Sequence, residues 1–378
     1  MYEYFVFDLI NLEVALSKIV SIGTAVPEYR HEQQKIFEFM SRVYAINEIE
    51  KRKLKFLYKH SGIQTRYSVL DDYSLPASEW NFFIPTENLE PFPSLEKRMK
   101  SFRDHAAPLS LKAINDCLKD RQDQNITHLI TVSCTGMSAP GLDLQVMELL
   151  DLPKTIYRTS VNFMGCYASI HALKMADAIC NTYSSAKVLI VCTELCTLHF
   201  QREATVDNIA SSLLFGDGSA AVLLTSDEHK LRGLHLSNFY SEVIPKGKKD
   251  MAWELSSTGF LMTLSGYVPE LIEEDFEPLV GRSLKNTDIS FDKITHWCVH
   301  PGGKKILEAI HKSLQLKNGE LKNSYDVLRR YGNMSSPTIL FVLKEMMDEF
   351  RHKHTENATV YGAAFGPGLT METFVASM

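Results

Sequence analysis

The chain has 378 residues, more than one average domain, and is long enough to bury a large core without disulfides or a structural metal. Its 45% apolar and 23% charged residues are those of an ordinary globular protein, which excludes a disordered or fibrous chain. The net charge of −6, with no large basic block, argues against nucleic acid as a partner, because phosphate binding needs clustered Lys and Arg.

The N-terminus is apolar at Tyr4-Phe5-Val6-Phe7, but Glu3, Asp8 and Glu13 precede the first basic residue, Lys18, so it does not read as a secretory signal. Ile19-Val20-Ser21-Ile22-Gly23 predicts a short strand, ended by Gly and Pro27. Residues 31–61 are charged and helix-prone, and the prolines and aspartates of 68–93 predict an irregular surface loop. A helical period returns over 97–120. His128-Leu129-Ile130-Thr131-Val132-Ser133 follows as a buried strand, then helix, strand and helix up to the apolar run 186–192, typical of a parallel sheet covered on both faces. Gly216-Asp217-Gly218 turns into a strand at 220–224. Residues 226–250 read as a polar connection. A second series then brings a strand at 294–299, a helix at 303–314 and two short strands around Gly366-Pro367-Gly368. Alternating β and α elements predict an α/β fold, and the similar layout of the two series suggests a duplication.

The seven cysteines are scattered, odd in number and form no CxxC pair, which suits reduced thiols in the cytosol rather than a disulfide framework or a zinc ribbon. No run of about 18 predominantly apolar residues is available to span a membrane. A cytoplasmic location is expected.

Three positions could carry chemistry. Cys166 follows Gly165 after a strand-like stretch and is expected in the first turn of a helix, where free N–H groups and the helix dipole lower a thiol pKa. His300 ends an apolar strand at Pro301-Gly302-Gly303, and open α/β sheets keep their sites at the carboxyl ends of strands. Asn333 lies in Tyr331-Gly332-Asn333-Met334-Ser335-Ser336-Pro337, before an apolar helix. Each alone has a plainer reading: a small buried hydrophobe, a surface histidine, a helix cap. The order Cys, His, Asn is shared by papain-like proteases, but their cysteine lies near the mature N-terminus in a signature absent here.

Five stretches fall in order: Gly165-Cys166, Phe215-Gly216-Asp217-Gly218-Ser219-Ala220-Ala221, His300-Pro301-Gly302-Gly303, Gly332-Asn333-Met334-Ser335-Ser336 and Gly366-Pro367-Gly368-Leu369-Thr370-Met371-Glu372. Together they resemble the chalcone and stilbene synthase family, the type III polyketide synthases, over nearly the whole chain from about Ser17 to Thr373. The resemblance implies a thiolase-like αβαβα layered sandwich of two similar halves, working as a homodimer. The expected division is an extension over 1–15, an N-terminal half over 16–228 with the nucleophile, and a C-terminal half over 229–378 with the His and Asn.

It also implies that Cys166 holds a starter acyl group as a thioester, activated as a thiolate–imidazolium pair with His300. His300 and Asn333 would bind the malonyl-CoA thioester carbonyl during decarboxylation. CoA thioesters are then substrates, and no metal or other cofactor is needed. The product would be a pyrone, resorcinol, phloroglucinol or chalcone-type compound. Phe215 matches a gatekeeper aromatic and Met262 the position of a second. Cys134, Cys196 and His199 stand where plant chalcone synthases carry small hydroxyl residues, and Ser335 keeps the family's serine. For CoA, Lys53 matches a basic residue, with Gly302 and Gly303 nearby, while Phe56 and His60 stand where other cations are usual. The competing classes are a fatty-acid-type β-ketoacyl condensing enzyme using acyl carrier protein, a non-catalytic member of the fold and, more remotely, a papain-like cysteine protease.

Overall fold

The computed structural model describes residues 17–44, 47–86, 89–119, 125–226, 231–285 and 287–378. The expected extension over 1–15 lies outside them. The framework is a nine-stranded sheet whose spatial order is 296–299, 359–366, 370–377, 234–243, 18–25, 217–225, 187–195, 128–133 and 157–162. Its two parts meet where Lys18–Ala25 pairs with Leu234–Val243 through only two residue pairs, Lys18 with His235 and Ile19 with Leu234.

On each side of that joint the same pattern recurs. The first strand of the half lies antiparallel to its last, the last antiparallel to the one before it, and that one parallel to the second strand. The repeated connectivity gives the two similar halves expected from the sequence.

The central layer consists of the helices Ala168–Thr182 and Thr338–Lys353. One continuous core packs Ala168, Ala172 and Ala176 of the first helix and Leu340, Leu343 and Met347 of the second against inner-face residues of both sheet parts, Ile190 and Val222 on one side and Val360 and Phe374 on the other. Alanines at every fourth position let a helix approach a sheet closely, and helix 338–353 is apolar around most of its first half because both faces are covered. Its C-terminus carries Arg351, His352 and Lys353, which suit the negative end of the helix dipole. Helix Leu95–Leu118 covers the outer face of the N-terminal sheet, and helices Val268–Leu284 and Lys304–Ser313 cover that of the C-terminal sheet. The result is the five-layer αβαβα sandwich.

Two elements depart from the sequence reading. The stretch read as a polar connection contains the ten-residue strand 234–243, which is exposed at Ser237, Ser241 and Val243 and buried at Leu234 and Leu236. Strands Met251–Ser256 and Gly259–Leu264 form a hairpin that the sequence did not announce. Among the described residues, no helix is long and apolar enough to cross a membrane.

Leu343 is fully buried in the central layer. Leu343→Ala should lower the unfolding free energy by roughly 2–5 kcal/mol, measured by urea denaturation followed by circular dichroism. A loss below about 1 kcal/mol would mean that the layer can collapse around the missing side chain.

Candidate active site

Strand Tyr157–Asn162 runs into a tight turn in which Phe163 and Gly165 both have positive φ, 62° and 81°. A Cβ at position 165 would lie 2.2 Å from Pro367 Cδ, so only glycine lets the chain pass beneath the Gly366-Pro367-Gly368 turn. Cys166 follows, two residues before the first residue of helix 168–182, rather than within its first turn as the sequence suggested.

The C-terminal half delivers a matching turn. Gly332, at φ 69°, would place a Cβ 2.7 Å from the Leu214 carbonyl. That close approach lets Asn333 bridge in parallel to Phe215, with Asn333 N–H donating to Leu214 O and Gly216 N–H donating to Asn333 O, both at 2.9 Å. The Asn333 side chain accepts from Ser335 N–H at 2.8 Å and donates to Gly302 O at 3.2 Å. Asn333 and Ser335 also reach the sulfur of Cys166 with their side chains. Two helix N-termini therefore converge on one thiol.

His300 leaves strand His296–Val299 with its own N–H bonded to Ala363 O. Its ring is buried, and neither ring nitrogen has a hydrogen-bond partner. Burial drives the imidazole pKa down to about 3. Burial likewise pushes the Cys166 thiol up to about 11; Ser335 and Asn333 oppose this, and the nearby Glu194 carboxylate reinforces it. Burial disfavours charge on both groups and so works against the thiolate–imidazolium pair that the helix ends would favour.

A pocket at Cys166 is walled by Cys134, Cys196, Phe215, Trp253, Met262 and Ser335 among others. A second, larger one shares Cys196, Phe215, Trp253 and Met262 with it. Phe215 and Met262 thus stand between the two chambers. His199 lines the larger one; it is neutral, with burial driving its pKa down to about 3, and stacks on Phe260 at 4.2 Å. Its Nε2 lies 2.8 Å from Thr135 O while Nδ1 accepts from Phe260 N–H, which assigns the proton to Nε2. His199 is a fixed wall.

Of the expected CoA contacts, Gly302 is tied to Asn333, and Gly303 packs toward Leu214. Lys53 lies exposed on helix Glu48–His60 and lines neither chamber.

Sequence reasoning missed three residues. Glu194, fully buried, accepts from Cys134 N–H at 2.9 Å, Thr135 Oγ1 at 2.8 Å and Ser336 Oγ at 2.8 Å; burial raises its pKa to about 7. Trp253 donates Nε1–H to Cys134 O at 2.7 Å. Arg66 lies beneath the Phe215–Asn333 bridge and donates to Phe215 O. Among the described residues no group of His, Cys, Asp and Glu could hold a metal ion.

Two family descriptions match the chain: chalcone and stilbene synthases, N-terminal domain, over residues 12–228, and the corresponding C-terminal domain over 235–378. A putative chalcone synthase of Bacillus subtilis is 29% identical over 95% of this chain and 98% of its own length. A probable polyketide synthase 1 of Dictyostelium discoideum is 31% identical over 94% of this chain, which spans only 11% of that longer protein. The crystal structure of PKS-I from the brown alga Ectocarpus siliculosus superposes with a TM-score of 0.91 at 24% identity, covering 97% of this chain and all of that one. The chain belongs to the chalcone and stilbene synthase family, the type III polyketide synthases, which are acyltransferases.

All seven cysteines are buried. Burial lifts Cys134 and Cys196 well above the ordinary thiol range, whereas Cys166 has two polar side chains opposing its rise. Iodoacetamide at neutral pH should therefore alkylate Cys166 first, with parallel loss of activity, read by peptide mass spectrometry. First labelling of Cys134 or Cys196 together with inactivation would overturn its assignment as nucleophile.

Proposed function

We propose that the protein extends an acyl-CoA starter with malonyl-CoA by iterative decarboxylative condensation and releases a cyclised polyketide. Cys166 is the acyl carrier, and two copies of the chain form the working enzyme. The observation that carries this reading is the buried His300 ring with both nitrogens unpartnered, together with a buried thiol that the fixed Asn333 amide reaches. Such a site holds hydrogen-bond capacity in reserve for a reacting group.

The residues then act in sequence. As the starter thioester approaches, the Cys166 proton passes to His300; the two opposite charges formed in contact stabilise each other in the dry cavity. The sulfur attacks the starter carbonyl, the C–S bond to CoA breaks, and CoA leaves with the proton from His300. Malonyl-CoA next places its thioester oxygen against His300 and the Asn333 amide. Loss of CO₂ leaves an electron pair delocalised onto that oxygen, and donors fixed in advance stabilise this enolate more than the ground state. Its carbon attacks the Cys166 thioester, the C–S bond breaks and the sulfur takes up a proton; the extended chain is left on the CoA that carried the malonyl group, and Cys166 is free to be reloaded.

The Asn333 amide is held by Ser335 N–H and Gly302 O, so aspartate fits the space but loses the N–H donor and brings a negative charge. Asn333→Asp should slow malonyl-CoA decarboxylation by about 10²–10³ while changing starter loading far less, measured by single-turnover release of CO₂ and by the mass of acylated Cys166. Equal losses in the two steps would make Asn333 a structural residue only.

Met262 is an unbranched, flexible side chain shared by the two chambers, and Cys134 and Cys196 make the wall less polar than hydroxyl residues would. Medium and long alkyl starters should be accepted, each buried methylene adding up to about 0.8 kcal/mol of binding until the cavity ends. Met262→Phe should shorten the preferred starter in a kcat/KM series from acetyl-CoA upward. A series that peaks at short or aromatic starters and ignores bulk at this position would sink the reading of the pocket and leave that of the condensation standing.

A further inference from the structure

The larger chamber is apolar at Ile36, Met40, Phe200 and Phe260, yet Arg66, only 3% exposed, forms part of its wall. The guanidinium is partly engaged. Nε donates to Gln33 Oε1 at 3.0 Å and Nη1 to Phe215 O, while Nη2, equally buried, has no partner. The polar groups around it are largely engaged. The Tyr58 hydroxyl is paired with Ser212 and also interacts with the guanidinium, without a well-formed bond to Nη2; the Tyr73 hydroxyl donates to Thr197 O, and Asp217 accepts from Val69 N–H and from Thr197. No carboxylate forms a salt bridge with Arg66 among the described residues. A buried charged donor left unpaired is expensive, and nothing in the fold requires Nη2 to stay so.

Its location says what could pair with it. The Arg66 side chain packs on Gly332, where a Cβ would come within 2.8 Å of Cδ, so it sits directly behind Asn333 and the gate residue Phe215. Ile36 and Met40 lie further along helix Gln33–Val43, whose first residue holds Arg66 Nε. Arg66, Ile36 and Met40 all line the chamber that shares Cys196 and Met262 with the pocket at Cys166.

We infer that Arg66 Nη2 binds a ketone or enolate oxygen of the growing poly-β-keto chain in this chamber, with the alkyl tail beyond it against Ile36 and Met40. The inference rests on the proposed condensation, which places a carbonyl on every second carbon of the extended segment. A 1,3-dicarbonyl enolises readily, and the oxygen charge so formed suits a guanidinium held in a dry site. A chain without oxygens would leave Nη2 unpaired. Arg66 thereby selects for extended intermediates over the bare starter and holds them until the last condensation.

The test is the product ladder, resolved by liquid chromatography and mass spectrometry, for purified enzyme supplied with malonyl-CoA and its preferred acyl-CoA. Arg66→Met should lower the ratio of the longest product to lactones released after one or two extensions by about tenfold or more. Arg66→Lys, which keeps a cation, should recover part of that ratio. An unchanged ladder in folded Arg66→Met overturns the inference. Met40→Trp fills the far end of the chamber without touching the guanidinium; it should also truncate the ladder, and full-length product in that variant overturns the inference even where Arg66→Met fails to fold. Absence of malonyl-CoA consumption by the unaltered enzyme would instead remove the proposed function itself.

Discussion

The carboxylate of Glu194 holds the two halves of the chain to one geometry at the point where they meet. One oxygen gathers Cys134 N–H and the Thr135 hydroxyl, at the end of strand His128–Ser133; the other takes the hydroxyl of Ser336, on the turn that also carries Asn333 and Ser335. The wall of the small chamber and the asparagine turn are thereby fixed by a single side chain. Burial raises its pKa to about 7, and each hydrogen bond pulls the value back. Removing one donor would leave an underpaired carboxylate in the core, so its donors depend on one another.

Around that tie the sandwich brings equivalent features of its halves together. The N-terminal half ends strand Tyr157–Asn162 and the C-terminal half ends helix Lys322–Tyr331 in a glycine turn with positive φ; each then crosses a short irregular segment and enters a central helix. The turns at Gly165 and Gly332 meet, and the sulfur lies between two helix starts. Their partial positive charge and the low polarity of the cavity act in opposite directions on the thiol. Burial disfavours charge on both Cys166 and His300, raising the thiol and lowering the imidazole.

Much of this was legible in the sequence, and the reasons for the rest are specific. Cys166 and Asn333 stand out because each follows a glycine that only a tight approach explains, and His300 because it ends an apolar strand just before Pro301-Gly302-Gly303. Strand 187–195 announces itself through a continuous apolar run, but the same run conceals Glu194, since nothing local distinguishes a buried, fully paired glutamate from one that merely ends a strand in water. Arg66 is hidden for the same reason: its surroundings come from segments 33–43, 206–216 and 332. Strand 234–243 was missed because pairing with 370–377, rather than an apolar pattern of its own, makes it a strand. Helix ends can be read along the chain, whereas the desolvation that raises the Cys166 thiol cannot.

The repeated strand order on either side of a joint only two residue pairs wide also bears on how such a protein arises. The order is that expected of a duplicated half whose copies have diverged: Cys166 stands in one, His300 and Asn333 in the other, so neither half alone carries all three.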